Sequence, residues 1–348
     1  MPRLQNLVYT TVLVSISGWV LYIGRDVLIP AVFGAAVVYV IVGVTHGLGK
    51  LPRIGQALPL QLRYALSVSA IASAFLLGAY FVVANKEKAL ALAPQYQESL
   101  LVAIQRVAIF LRIETEPTWA TLRQDLFAQI NLQRFVGSML ASVSSVVLIF
   151  VVVMLYATFL LFERRYFSAK LNNLSANPNR VARIRKVIGD INQRIGSYLA
   201  LKACLSLLLG LVSWSAMWFF GLEFAVLWAL LTAVLNFVPY IGSALGVLLP
   251  MVMAIVQFED LRTILSIVLV LTAIQFVIGN FLDPYIMGSS LNLSPFAILI
   301  SLAIWSELWG IAGAFLAVPI TAIMVIVFSE FPATRPVAVL LSQRGELS

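Results

Sequence analysis

Two short stretches of this apolar sequence combine polar side chains with helix-breaking residues. "NFVPYIGS" covers residues 236–243 and "NFLDPYIMGS" covers residues 280–289, so both read Asn-Phe, then Pro-Tyr-Ile, then Gly-Ser. Proline removes a backbone donor, and glycine permits a tight reversal. In hydrocarbon, the freed backbone groups must be satisfied by protein or water. The pattern predicts a repeated broken helix that lines a cavity for a small polar solute, with chance matching as the alternative.

The polar and helix-breaking residues in and after these stretches form the predicted solute pathway. Asp283 is the leading ionisable candidate, because a charge at bilayer depth is costly and usually functional. The alternative is that Asp283 lies in a cytoplasmic loop and only starts a turn. Glu223, predicted in an external turn, and Glu307, predicted as an interface anchor, are the other ion-coupling candidates. Pro319 is also expected to kink the last helix. The pathway residues are Asn236, Pro239, Gly242, Asn280, Asp283, Pro284, Gly288 and Pro319.

Residue types that support other chemistry are scarce. Cys204 is the only cysteine, which excludes an intrachain disulfide, and His46 is the only histidine, which excludes a His-based metal cluster. The sequence shows no histidine-containing serine triad. The sequence contains no phosphate-binding P-loop. We therefore expect no catalytic residues, no enzyme activity, no metal and no cofactor.

The composition predicts a membrane protein. Of 348 residues, 61% are hydrophobic and 11% charged, with mean hydropathy +0.98, whereas soluble domains carry roughly 25% charged residues. Uncharged runs long enough to cross a bilayer are 4–24, 27–49, 64–85, 135–162, 203–222, 263–282, 284–306 and 308–329. A further uncharged run, 224–258, is too long for one ordinary span. The runs predict an all-α polytopic protein of about eight transmembrane helices. In its C-terminal half we expect broken or re-entrant helices, with 240–257 and 295–306 as candidate half-helices.

The distribution of charge predicts an orientation. Residues 163–202 hold nine of the 23 basic residues, and short loops rich in Lys and Arg stay cytoplasmic. The near-neutral segment 86–134 is then external, and both termini are cytoplasmic. The N-terminal 24 residues are interpreted as a retained helix, since no clear cleavage site follows them. The predicted segments are 1–85, 86–134, 135–162, 163–202, 203–329 (the transport core) and 330–348 (a cytoplasmic tail).

Two segments outside the apolar runs are predicted to be amphipathic helices. In the external segment, Leu122, Leu126 and Ile130 repeat at four-residue spacing. This segment is either a cap on the membrane domain or a partner-binding domain. As a helix, the basic segment 163–202 has an apolar face and a cationic face. This arrangement favours binding at a membrane surface with anionic lipid headgroups. No nucleic-acid recognition motif accompanies its charge, so we expect no nucleic-acid partner.

Three motifs stand in the C-terminal half: "LNFVPYIGS", "GNFLDPYIMGSSLNLSP" and "GIAGAFLAVP". They resemble the motifs of the autoinducer-2 exporter family of bacterial membrane proteins, in particular its quorum-signal exporter branch. Pro239 and Gly242 match the first motif, Asn280, Pro284, Gly288 and Pro295 the second, and Gly313 and Pro319 the third. The order of early helices, external insertion, basic helix and motif-rich half is similar as well.

The resemblance implies ATP-independent export of a small signal molecule, autoinducer-2, across the bacterial inner membrane by a homo-oligomer, such as a pentamer. It leaves open sodium or lithium/proton antiport, and the residues alone also leave open a membrane scaffold without transport. Two positions depart from the family pattern. Ile278 stands where many relatives have an acid, which weakens a cation-coupled mechanism. Tyr285 stands where many have a basic residue, which removes an anion contact.

Overall fold

The computed structural model describes residues 2–50, 58–110, 132–173, 175–287 and 291–346, and these residues are almost entirely helical. The α-helices are α1 Pro2–Ile23, α2 Arg25–Gly49, α3 Leu60–Ala84, α4 Lys86–Phe110, α5 Leu132–Asn172, α6 Pro178–Phe219, α7 Ala225–Leu235, α8 Ile241–Gln257, α9 Leu261–Phe276, α10 Asp283–Met287, α11 Pro295–Ser329 and α12 Arg335–Leu341. A π-helical segment, Val277–Leu282, joins α9 to α10. The predicted helix around Leu122, Leu126 and Ile130 lies outside the described residues.

Six helices of the described chain are long and apolar enough to cross a membrane. They are Arg25–Gly49, Leu60–Ala84, Ala141–Asn172, Pro178–Phe219, Leu261–Met287 and Pro295–Ser329. Three shorter apolar helices accompany them: Thr11–Ile23, Ala225–Leu235 and Ile241–Gln257. The predicted class, an all-α polytopic membrane protein, is confirmed.

Several helices do not end where the uncharged runs end. Helix α5 continues ten residues beyond Phe162, and α6 runs without interruption from Pro178 through Lys202 to Phe219. Charged side chains limit the part of a helix that can lie in hydrocarbon, but they do not stop helix propagation in water. The basic segment is therefore built from the ends of two long helices.

The described chain divides into two compact units. Unit 1 contains residues 1–71, 149–203 and 286–348, and unit 2 contains residues 72–148 and 204–285. In unit 1 the buried core joins α6 to α11 and the C-terminal segment, through Ile195, Tyr198, Leu199, Leu293, Val318, Ala322, Val325 and Ala338. In unit 2 the core joins the end of α6 to α7, α8 and α9, through Met217, Leu222, Ala229, Met253, Ala254, Ile267 and Leu271.

Helix α11 is interrupted at Gly310, where φ is 62° and ψ is −141°. A Cβ at Gly313 would overlap the carbonyl oxygen of Trp305, although eight helical residues would separate those positions by about 12 Å along a straight helix. The chain therefore turns back on itself between residues 295–309 and 311–329. The sequence predicts a kink of this helix at Pro319. The interruption lies at Gly310 instead, because glycine reaches positive φ while proline keeps a helix-compatible φ.

Candidate functional site

The first polar stretch forms a tight helical hairpin in unit 2. Helices α7 and α8 have 11 and 17 residues, so they are about 16 and 26 Å long and shorter than a bilayer core of about 30 Å. Tyr240 takes an unusual positive φ of 62° at the turn. A Cβ at Gly242 would overlap the carbonyl oxygen of Leu235. The hairpin divides the long uncharged run 224–258 into two short apolar helices.

Buried polar side chains hold the hairpin. The Asn236 amide, which is 5% exposed, donates to the Ser206 hydroxyl of α6 at 2.9 Å. The Thr232 hydroxyl donates to the carbonyl oxygen of Gly246 on the facing helix at 3.0 Å. In a low-dielectric interior such bonds avoid the cost of unsatisfied polar groups. Asn236 therefore fixes the hairpin to α6 at the point where α7 ends.

The second polar stretch begins in a widened helical turn. The Asp283 N–H donates to the carbonyl oxygen of Ile278, five residues earlier. Pro284 has no N–H, and its ring would clash with the Asn280 carbonyl in a regular helix. A π-helical turn relieves this clash and is frequent at functional sites. The helix continues through Asp283–Met287, so its interruption comes later than in the first stretch. Gly288 lies outside the described residues.

The geometry of α8 and α9 brings the two stretches to one end of unit 2. The two helices are packed together and joined by residues 258–260, so they run antiparallel. Helix α8 has 17 residues, and counting 17 residues from Leu261 reaches Val277. Because every residue of an α-helix rises by the same distance, the hairpin turn and the π-helical segment lie at the same level along the two helix axes. Pro239, Gly242, Asn280, Asp283 and Pro284 lie near this level.

The remaining predicted residues lie elsewhere. Glu307 is exposed, and Pro319 is buried within the second piece of α11; both belong to unit 1. Glu223 lies at the other end of unit 2, before α7 and close to the end of α8. The length of α8, about 26 Å, separates Glu223 from the level of Asp283. Glu223 and Asp283 therefore do not form one cluster.

Glu223 is the centre of a polar junction at that end of unit 2. Its carboxylate lies 3.0 Å from the Lys88 ammonium and accepts a hydrogen bond from the Tyr96 hydroxyl, both on α4. Its backbone N–H donates to the Gln257 side-chain oxygen at 2.7 Å, and the Gln257 amide donates to the carbonyl oxygen of Gly221 at 2.8 Å. The junction ties α4 and the end of α8 to the turn before α7. Sequence reasoning missed these partners, because no local pattern links residues more than 100 positions apart.

The junction keeps Glu223 ionised. Partial burial would raise the pKa of this carboxyl, but the Tyr96 hydrogen bond and the Lys88 charge outweigh burial and hold the pKa below its usual value of 4.5. Burial, together with the hydrogen bond to the Glu223 carboxylate and its charge, raises the pKa of the Tyr96 hydroxyl. At neutral pH the junction therefore pairs a carboxylate with a neutral phenol and an ammonium.

A pH-dependent stabilisation by Glu223 follows. A lowered folded-state pKa gives stability that is present above pH 4.5 and is lost as pH falls through the folded-state pKa. We expect Glu223→Gln to lower the melting temperature at neutral pH and to converge with the original protein in acid. Glu87→Gln, which changes an exposed carboxylate on α4, is the control. A difference between Glu223→Gln and the original protein that persists unchanged below the titration would contradict this assignment.

Comparison with known proteins places these features in a family. The sequence profile described as "AI-2E family transporter" matches residues 11–333. The chain belongs to the AI-2E transporter family. The layout and the three C-terminal motifs thus belong to a family of transport proteins, which confirms the resemblance read from the sequence.

Individual relatives agree with this membership. The AI-2 transport protein TqsA of Escherichia coli K12 is 31% identical over 263 residues, 72% of this chain and 71% of TqsA. Two other relatives carry the name "Putative transport protein". YhhT of Escherichia coli K12 is 27% identical over 83% of this chain and 81% of its own. A Borreliella burgdorferi protein is 35% identical over 57% of this chain and 55% of its own. This chain is a multi-pass membrane transport protein.

Proposed function

We propose that this transporter exports a small polar solute, autoinducer-2, across the bacterial inner membrane by secondary transport or facilitated efflux. The observation that carries the proposal is the common level of the α7–α8 hairpin turn and the π-helical segment. Interrupted helices free backbone groups that a polar solute can bind. The name of TqsA, at 31% identity, supports autoinducer-2 as the solute to test first.

Pro284 supplies the chemical basis for solute binding in this proposal. It offers no N–H to the carbonyl oxygen of Asn280, four residues earlier, so this oxygen cannot make the regular helical bond. Asn280 is exposed, and Asp283 beside it is half-buried. A hydroxylated solute can donate to this carbonyl and to the Asp283 carboxylate.

Sodium or lithium/proton antiport is the second candidate function, and the Asp283 carboxylate favours it. A carboxylate beside a widened helical turn can exchange a proton for a cation, because both bind the same oxygens. Ile278 is buried one turn earlier and supplies no second carboxylate, so antiport would depend on Asp283 alone. Liposomes assayed for both autoinducer-2 efflux and sodium-driven proton movement distinguish the two functions.

Proline replacement tests the binding role of the interrupted helices. Pro284→Ala restores the missing donor, which favours a regular helix by about 1 kcal/mol, and we expect transport to fall about fivefold. Pro239→Ala should lower transport as well, because it relaxes the hairpin turn. Pro94→Ala, an exposed proline inside α4, is the matched control. Full transport by both Pro239→Ala and Pro284→Ala, with normal membrane insertion, would contradict the proposal.

The proposed orientation places residues 163–202 and both termini in the cytoplasm and residues 86–134 outside. Cys204 is exposed, so labelling requires a Cys204→Ser background. In that background we expect an impermeant thiol reagent added outside to label Gln95→Cys and not Asn177→Cys; both positions are exposed. The opposite labelling pattern would reverse the orientation.

We also propose that the protein is a homo-oligomer, by resemblance a pentamer. Native mass spectrometry of the purified protein measures the number of subunits.

A further inference from the structure

We propose that a cavity in unit 1 binds a phosphate group, carried by an anionic phospholipid or by a soluble phosphate. The cavity, about 380 Å³ in volume, lies between the start of α6, the end of α11 and α12. Its charged lining side chains are Lys186, Asp190, Arg194, Glu330 and Arg335. All these residues belong to unit 1, and none of them belongs to the solute pathway.

Helical spacing explains why α6 presents charges here. Lys186, Asp190 and Arg194 recur every four residues, which places them on one face of the helix. Ile195 and Leu199, on the adjoining face, pack into the core with Val325 of α11. The cavity therefore lies at the edge of the core, with charged walls and an apolar lining of Leu291, Val325 and Ile326.

The charge balance favours an anion. Three lining cations face two lining carboxylates, and Arg183 adds a further cation next to Glu330. Glu330 lies 3.6 Å from the Lys186 ammonium and 3.9 Å from the Arg183 guanidinium. Both ion pairs are long and their cations are exposed to solvent. Such pairs contribute little stability, so an incoming anion can compete for these cations.

Arg335 gives the cavity a specific phosphate contact. A guanidinium binds phosphate oxygens through two parallel hydrogen bonds. Backbone hydrogen bonds fix the C-terminal segment that carries Arg335 to the loop before α11. The Ser294 N–H donates to the Leu341 carbonyl oxygen at 3.0 Å, and the Gln343 N–H donates to the Asn292 carbonyl oxygen at 3.2 Å. The Asn292 amide also donates to the Glu346 carbonyl oxygen at 2.7 Å. These bonds anchor the helix that carries Arg335 beside the cavity.

The location suits a headgroup. Glu330 caps the end of α11, which is one of the candidate membrane spans, so the cavity is expected at the depth of lipid phosphates. Basic pockets beside spanning helices bind anionic headgroups. The apolar lining can contact the glycerol end of a lipid, whereas a soluble phosphate ester would use the charged walls alone.

Binding by matched charge variants tests the site. Full-length protein in phosphatidylcholine nanodiscs with increasing phosphatidylglycerol would be analysed for retained lipid by native mass spectrometry. In parallel, inorganic phosphate and glycerol 3-phosphate would be titrated into detergent-solubilised protein. We expect Arg335→Gln to weaken binding about tenfold, because it removes a charge-assisted contact. Glu330→Gln should strengthen binding, because it removes a carboxylate from the cavity.

Arg180→Gln is the matched control, since Arg180 is an exposed cation on α6 that does not line the cavity. Saturable phosphatidylglycerol binding that Arg335→Gln weakens and Arg180→Gln leaves intact identifies a lipid site. The same pattern with only the soluble phosphates identifies a soluble ligand. Equal losses for Arg335→Gln and Arg180→Gln, or no saturable binding of either probe, would overturn the proposal. Unchanged melting temperatures exclude misfolding as the cause of a loss.

Discussion

Replacing Gly242 by alanine is expected to destabilise the α7–α8 hairpin by about 3 kcal/mol, because overpacking against backbone cannot be relieved by a side-chain rotation. The new Cβ would overlap the carbonyl oxygen of Leu235. The two helices would have to separate, and the buried bond from Thr232 to the Gly246 carbonyl, 3.0 Å long, would be lost with them. We therefore expect little folded protein and no measurable transport.

Gly313→Ala should have an effect of similar size in unit 1. Its Cβ would overlap the carbonyl oxygen of Trp305, on the other side of the turn at Gly310. Gly189 is the matched control, because it is helical and a Cβ there has open space. Alanine at this position should stabilise the helix by up to about 1 kcal/mol.

Thermal unfolding of the three purified variants in detergent, with transport assayed in liposomes, measures both expectations. Gly242→Ala or Gly313→Ala with the melting temperature of the original protein would show that the corresponding turn is not tight. A large loss in Gly189→Ala as well would indicate a general intolerance of these helices to substitution.

The turn residues show how far the sequence predicts the fold. Proline and glycine within an apolar run predicted an interruption near Gly242, since a 35-residue uncharged run cannot be one span. The same reasoning assigned the kink of the last helix to Pro319, and the structure places the interruption at Gly310. A glycine in an apolar run is ambiguous, because it serves either close packing or positive φ, and only the backbone conformation distinguishes these uses.

The two similar motifs illustrate a second limit. Their shared Asn, Pro and Gly predicted similar breaks, but the first forms a hairpin turn and the second a π-helical segment followed by α10. The second motif has one extra residue before its proline, Asp283. With that added residue, the chain accommodates the proline ring in a π-helical turn. Whether an added residue widens a helical turn or lengthens a loop depends on packing against neighbouring helices, and the local sequence does not show that packing.

Long-range polar contacts were beyond sequence reasoning altogether. Glu223 was predicted in an external turn, but its bonds to Lys88 and Tyr96 join residues more than 100 positions apart. No periodicity or motif connects them, because a salt bridge needs only proximity in space. Glu223 is bound in a junction that holds α4, which gives its charge a structural role.

Replacing Asp283 by asparagine is expected to separate solute binding from proton coupling. Asp283 is half-buried directly after the π-helical segment, next to Pro284. As a proton carrier its carboxylate must titrate during each cycle, whereas as a binding group for a neutral solute it needs only hydrogen-bonding capacity. Asparagine keeps the size and most of that capacity but cannot titrate.

We expect Asp283→Asn to retain most downhill efflux of autoinducer-2 and to lose the whole of any increase driven by an imposed pH difference. Proteoliposomes loaded with the solute, with and without a pH difference, measure the two components in one preparation. Glu259→Gln is the matched control, because Glu259 is exposed in the connection at the opposite end of α9. If Asp283→Asn keeps pH-driven transport at the original rate, Asp283 is not the coupling group. If it loses downhill efflux as well, the carboxylate itself binds the solute, since the amide that replaces it supplies one acceptor oxygen where the carboxylate supplies two.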